Sequence, residues 1–355
     1  MSIWRFANRL ANLAEEHQLT LGEGNTPLVR SRVIGPELGL EHLYFKLESV
    51  NPTGSYKDRF AAGAVSHLLA KNRTLCLGTS SGNTGAALAG YAAAAGMRCV
   101  LAIVEGAPEA KLRQMQAYGA ELIRIRGFGA DPEVTREVAN QLRRLAGSLN
   151  TELQISAFAF SPNGMAGVQS IAWELVEQLP AGIDHVFAPA GGGGLVLATA
   201  RGFSGKQTAV HCVQPEGNDT IAGPLREGLE RARTCECTTT VSGLQVASVI
   251  DGNKAVAACR ASGGTGFLVS DDEVFQMQTR LARNEGVFSE PAGAVSVAAL
   301  SQALAEGNIH KGETVVCLIT GSGFKDATSV ARMTSDKDCP LVDDFADFES
   351  LVRSS

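Results

Sequence analysis

Short apolar runs alternate along the chain with stretches in which apolar residues recur at helical spacing. The runs Leu43–Leu47, Thr74–Leu77, Arg98–Val104, Glu121–Arg126, His185–Pro189, Ala209–Gln214 and Thr314–Ile319 predict strands. Between them, Asp58–Ala70, Thr84–Ala95, Glu109–Tyr118, Pro132–Leu145, Met165–Leu179, Leu195–Gly202, Asp272–Asn284 and Pro291–Leu304 predict helices. Strands that are apolar along their whole length are buried on both faces, and their alternation with helices predicts an α/β fold of parallel sheets. In such sheets ligands sit beyond the carboxyl ends of the strands, so chemistry is expected in the turns that follow them. The segment Asp336–Glu349 holds six acids and one Lys, and predicts a solvated or loosely docked tail.

Composition narrows the function classes. With 355 residues and 45% apolar content, the chain can build a core that needs no disulfide or metal. A net charge of −6 argues against a nucleic-acid protein and against a polybasic membrane surface. The eight Cys include no C-x-x-C pair and several lie in apolar runs, so neither a zinc site nor a disulfide framework is expected. The start Met1-Ser-Ile-Trp-Arg-Phe lacks a basic segment followed by an apolar one. The expected compartment is the reducing cytoplasm.

Four turns carry candidate chemistry. In Asn51-Pro-Thr-Gly-Ser-Tyr-Lys57-Asp-Arg59, Ser55 can cap the following helix and Lys57 falls in its first turn. A lone Lys is ordinarily a solvated surface residue. At a helix start, however, the positive end of the dipole repels an ammonium and favours the neutral, nucleophilic amine. The turn Gly78-Thr-Ser-Ser81-Gly-Asn83-Thr-Gly85 opens an Ala-rich helix, and five of its eight residues carry hydroxyl or amide groups. One such residue would suffice for a cap; several in a row suit a carboxylate or another anion. In Ala188-Pro-Ala-Gly191-Gly192-Gly193-Gly194-Leu195, four successive Gly are costly as structure but present bare N–H groups to a phosphate. Neither the dinucleotide fingerprint nor the ATP loop fits this run, which leaves the single phosphate of a small cofactor. The fourth turn, Thr320-Gly-Ser-Gly-Phe-Lys-Asp326, points a strand-end hydroxyl toward the same crevice. Taken alone, a strand-end Thr usually caps or packs.

A Lys at a helix start, an anion turn, a phosphate turn and a strand-end hydroxyl together match what a pyridoxal 5′-phosphate site requires. The sequence resembles the fold-type II pyridoxal-phosphate enzymes, which include tryptophan synthase β, cysteine synthase, serine/threonine dehydratase and threonine synthase. The resemblance runs from about Trp4 to Asp326 and is nearest to threonine synthases. It is carried by Leu21-Gly-Glu-Gly-Asn-Thr-Pro-Leu28, Asn51–Arg59, Asn284-Glu-Gly-Val-Phe-Ser-Glu-Pro-Ala-Gly-Ala294 and Thr320–Asp326. It implies that Lys57 forms the Schiff base, that Asn83 holds the ring oxygen, that Gly191, Gly192, Gly193 and Gly194 hold the phosphate, and that Thr320 meets the ring nitrogen. Ser80, Ser81 and Thr84 then receive the substrate carboxylate, with Lys57 and Ser81 as the catalytic pair.

The resemblance implies a carbon–oxygen lyase that converts O-phospho-L-homoserine to L-threonine and phosphate. Dehydration of serine or threonine, β-replacement as in cysteine synthase, and a non-catalytic cofactor-binding relative remain as alternatives. Where threonine synthases often carry a basic residue for the substrate phosphate, this chain reads Ser161-Pro-Asn-Gly-Met-Ala-Gly167. A replacement must come from elsewhere; Ser81, Thr84 and Asn163 offer hydrogen bonds without charge. The expected architecture is two doubly wound parallel-sheet domains resembling tryptophan synthase β. Residues 51–156 form the smaller domain, residues 1–50 with 157–335 the larger, and 336–355 an acidic tail. Expected partners are a small amino-acid substrate and a second copy of the chain, with no nucleic acid, membrane or metal.

Overall fold

Among the described residues, ten strands form two sheets. In chain order they are β1 (Leu28–Arg30), β2 (His42–Leu47), β3 (Leu75–Thr79), β4 (Arg98–Val104), β5 (Glu121–Ile125), β6 (Leu153–Gln154), β7 (His185–Pro189), β8 (Ala209–Pro215), β9 (Gly266–Val269) and β10 (Thr314–Ile319). The computed structural model describes residues 2–354 apart from 11, 12, 81, 108 and 130. The smaller sheet has the order β5-β4-β3-β6 and is parallel throughout. The larger has the order β1-β2-β10-β7-β8-β9. It is parallel except for β1, which pairs antiparallel with β2. The α/β expectation holds, with that one strand departing from the all-parallel reading.

The central strands are apolar because both faces are covered. Phe187, Val213, Val315, Cys317 and Ile319 face one apolar cluster with Val274, Leu281, Val295 and Leu300 from the helices Asp271–Glu285, Pro291–Ala298 and Leu300–Ala305. Val186, Val210, Val316 and Leu318 face the other side, against Met165, Ile171, Val196 and Val256. In the smaller sheet, Leu77, Ala102 and Leu153 pack on Val138, Leu142 and Ala146 of helix Pro132–Ser148.

The helix Lys57–Ala70 is buried almost all round, from Asp58 through Ser66. An all-round buried helix lies between layers. It meets the helix Pro162–Val168 at glycines: a Cβ at Gly164 would lie 2.6 Å from the Phe60 ring, and one at Gly167 2.3 Å from the carbonyl oxygen of Arg59. This close approach fixes the start of the Lys57 helix against the larger sheet's layer.

Two helices expected as continuous are divided. The Met165–Leu179 pattern splits into Pro162–Val168 and Ser170–Gln178 at Gln169, whose backbone angles (φ −61°, ψ −22°) stay helical. The Pro291–Leu304 pattern splits at Ala299. The acidic tail also carries a helix, Phe345–Ser354, on which Phe345 and Phe348 are exposed. Among the described residues no helix is long and apolar enough to cross a membrane.

Candidate active site

The carboxyl ends of both sheets open onto one cavity of about 510 Å³. Its lining includes Thr79 at the end of β3, Ser156 just beyond β6, the glycine run after β7 and Thr320 after β10. Lys57, Ser80, Asn83, Thr84, Gly191, Gly192, Gly193, Gly194 and Thr320 all line it. The sequence-predicted residues are thus brought together, except Ser81, which lies outside the described residues.

Lys57 is the first residue of its helix, preceded at the cap position by Tyr56 and not by Ser55. The Ser55 hydroxyl instead accepts from the Lys57 N–H at 3.3 Å. The turn is fastened to the end of β10: the Tyr56 N–H donates to the Thr320 carbonyl at 2.9 Å, and the Ser322 N–H to the Gly54 carbonyl at 2.9 Å. Asp58, pushed up to about 7 by burial against the bonds it accepts, takes the Thr53 N–H and hydroxyl and braces the turn from behind. Two backbone links therefore set Lys57 beside Thr320.

The Lys57 amine donates to the Tyr56 hydroxyl at 2.6 Å and to Ser156 Oγ at 2.9 Å. No carboxylate forms an ion pair with it among the described residues. Burial lowers its pKa to about 7, and the field of Glu290 only partly opposes the shift. At neutral pH a large share of Lys57 is a free amine, the form needed to attack a carbonyl or take a proton.

Glu290 was not singled out from the sequence. It is buried, and both carboxylate oxygens accept from the Asn83 amide, at 2.9 and 3.0 Å. The Thr320 hydroxyl donates to it at 3.3 Å. Burial raises its pKa, while Asn83, Lys325 and Thr320 pull the other way. The sequence signal was present, because Glu290 sits before Pro291 inside the Asn284–Ala294 motif. Glu290 ties together the two residues expected to hold a cofactor ring.

The glycine run forms a cradle with no room for side chains. Gly193 has φ +89°, and a Cβ there would lie 2.9 Å from Ile221 Cδ1. A Cβ at Gly191 would lie 3.0 Å from Val246 Cγ2. The turn is held by the Asp251 N–H, which donates to the Gly192 carbonyl at 3.0 Å. The N–H groups of Gly191, Gly192 and Gly193 make no hydrogen bond among the described residues. Unpaired N–H groups ahead of helix Gly194–Gly202 fit a phosphate. The low-pKa amine, the polar pair Asn83–Thr320 and this cradle therefore fit pyridoxal phosphate.

Asn163 does not join the site. Its amide pairs with the His67 ring at 2.9 Å, away from the cavity lining. The cavity does hold two cations not expected there, Lys111 and Lys325.

Residues 19–321 match the family model described as pyridoxal-phosphate dependent enzyme. The chain belongs to this family. It is 32% identical over 349 residues to a threonine synthase of Methanocaldococcus jannaschii, covering 95% of this chain and 84% of that one. It is 34% identical over 338 residues to a threonine synthase of Halalkalibacterium halodurans, covering 92% of this chain and 91% of that one. The fold superposes on the solved structure of maize serine racemase with a TM-score of 0.76 at 23% identity, over 94% of this chain and 96% of that one. The chain is a pyridoxal-phosphate-dependent lyase, threonine-synthase-like, of fold type II.

Proposed function

We propose that the enzyme converts O-phospho-L-homoserine and water to L-threonine and inorganic phosphate. What carries this reading is the convergence of Lys57, Asn83, the Gly191–Gly194 turn and Thr320 on one cavity, in a chain whose relatives are threonine synthases. Pyridoxal phosphate supplies a carbonyl that condenses with amines and a ring that withdraws electrons from the substrate Cα. Lys57 would hold its carbonyl carbon, Asn83 its ring oxygen, Thr320 its ring nitrogen and Gly191–Gly194 its phosphate.

The amine of Lys57, once free, takes the proton from the substrate Cα and later returns one. Tyr56 and Ser156, which accept from that amine, orient its lone pair. The N–H groups and hydroxyls of Ser80, Ser81 and Thr84 receive the substrate carboxylate at the start of helix Asn83–Ala94, where the dipole favours an anion. Phosphate leaves from Cγ and water adds at Cβ, so the substrate gains a β-hydroxyl as it loses the γ-oxygen.

We take residues 51–156 as the smaller domain and residues 1–50 with 157–335 as the larger, in a cytoplasmic homodimer. Sedimentation checks the dimer.

A dehydratase acting on serine or threonine is the second reading, favoured by the absence of any cation in Ser161–Gly167. Steady-state assay separates the two. O-phospho-L-homoserine should yield threonine and phosphate in equal amounts. Silence with that substrate, alongside ammonia and a keto acid from threonine or serine, would transfer the assignment.

A further inference from the structure

Asp251 bonds to both halves of the cofactor site from outside the cavity. It is next in sequence to the lining residue Ile250, is buried, and stands at the cap position of the helix Gly252–Ala261. An Asp at a cap ordinarily accepts from the first N–H groups of its own helix. The Asp251 carboxylate makes no such bond. It turns away instead, and accepts from the Phe158 N–H at 2.6 Å and the Ala159 N–H at 3.2 Å, 93 and 92 residues away in the chain. Its own N–H donates to the Gly192 carbonyl in the glycine cradle. Phe158 and Ala159 belong to the turn that leaves β6 of the smaller sheet, and Ser156 opens that turn. Ser156 Oγ accepts from the Lys57 amine at 2.9 Å. The cradle packs on the same turn: a Cβ at Gly194 would lie 3.2 Å from the Ser156 carbonyl oxygen and 3.5 Å from Asp251 Oδ2. Arg201, on the helix that the cradle opens, lies over the Phe158 ring at 4.2 Å.

We propose that Asp251 is a positioning residue that fixes the spacing between the phosphate cradle and Lys57. The proposal rests on the assignment of Lys57 and Gly191–Gly194 to the cofactor, and is independent of which substrate is turned over. A ligand held at two ends binds tightly only where its two sites keep the distance that the ligand spans. The cradle takes one end of the cofactor and Lys57 the other. Lys57 is bonded to Ser156, and the turn behind Ser156 is bonded to the cradle through Asp251. Bonds from N–H groups to a carboxylate are stronger than those between neutral groups, and two in succession fix the direction of the turn as well as its distance. A carboxylate committed to a distant turn, where its own helix start was within reach, is what positioning requires and capping does not.

The test measures two dissociation constants on the full chain freed of cofactor. Pyridoxal 5′-phosphate is followed by its visible absorbance, and inorganic phosphate by its competition with the cofactor. Phosphate needs the cradle alone; the cofactor needs the cradle and Lys57 at the right separation. Asp251→Asn keeps the side chain's size, but its amide nitrogen cannot accept from a second N–H. It should weaken cofactor binding about tenfold while phosphate affinity holds within about twofold. Ser156→Ala should show the same selective loss. Because both changes cut one chain of contacts, the double variant should lose no more than about twofold beyond the weaker-binding single variant. Melting temperature screens each variant for folding. Asp251→Ser can still cap the helix but is too short to reach Phe158, and it carries the test if Asp251→Asn fails that screen. An equal loss for both ligands would reduce Asp251 to a support of the cradle and overturn the proposal. Unchanged cofactor affinity, or losses that multiply in the double variant, would overturn it too. Lys57→Ala keeps the two readings apart. Undiminished cofactor affinity in that variant refutes the assignment of Lys57, whereas a lost affinity there, with Asp251 variants that match the wild type, refutes the positioning role alone.

Discussion

Two cations sit two residues apart on one helix and have opposite fates. Arg59 is fully buried and donates to Glu48 at 2.7 Å through Nε and to Glu174 at 2.7 Å through Nη1. Lys46 joins the same group, 2.8 Å from Glu174. Two cations meet two anions, and the leftover capacity goes to Thr26, Ser170 and Gln178. Burial alone would lower the pKa of Arg59, yet Glu48 and Glu174 hold it above its ordinary value. Burial alone would raise Glu174, yet Arg59 and Lys46 bring it down to about 2. Lys57 meets only hydroxyls, and its amine falls to about 7. A closed, balanced network rigidifies the helix start, while an open, cation-rich cavity beside it keeps reactive groups poised.

Changing each cation should separate the two roles. Lys57→Ala should lower turnover by about 10²–10⁴-fold at saturating cofactor, with the melting temperature little changed. Comparable residual turnover would remove Lys57 from the chemistry. Arg59→Met should do the opposite, costing about 3–5 kcal/mol of stability because Glu48 and Glu174 are left buried without their partner. Chemical denaturation measures the loss, and a variant as stable as the wild type would contradict the network's structural role. Gly192→Val tests the cradle next to this helix. Its new Cβ would lie 3.3 Å from Ile250 Cδ1, a contact that this side chain must yield to, so the melting temperature is measured alongside. Cofactor affinity should fall about tenfold as the bare N–H edge is screened.

The smallest effect is a pH dependence. Because the folded pKa of Lys57 is near 7 and the unfolded value near 10.5, the unfolded chain binds the extra proton between those limits. Lys57 therefore destabilises the cofactor-free chain below pH 7 by a constant amount, and that penalty fades as pH rises toward 10.5. Lys57→Met should raise the melting temperature of the cofactor-free protein at pH 6 and lose that advantage by pH 10. A difference independent of pH would mean that the amine titrates normally.

The contrast also shows what could be read before the structure. The seven longer strands and the turns after β3, β7 and β10 were legible because an apolar run ended by Gly, Ser or Thr specifies both burial and exit. The strands β1, β6 and β9 were not, since two to four residues carry no periodicity. Ser156 was missed with β6, whose end places it. The motif Leu21–Leu28 pointed to the family but lines no part of the cavity. Its Glu23 accepts from Tyr91 at 2.7 Å, and its Thr26 donates to Glu48 at 2.7 Å. It builds scaffold, and a motif read as a string cannot distinguish scaffold from site. Glu290 and Lys325 sit inside motifs that were read, and Lys111 inside a predicted helix, but nothing in those strings marked them as lining the cavity. Their roles come from what converges on them across the cavity, and charge balance across space has no signature in local spacing.

The claim that Lys57 is the reactive amine is tested most directly by borohydride reduction of the holoenzyme followed by peptide mapping. The account predicts the cofactor label on the peptide containing Lys57 and on no other. A label on Lys111, Lys325 or Lys46 would contradict it.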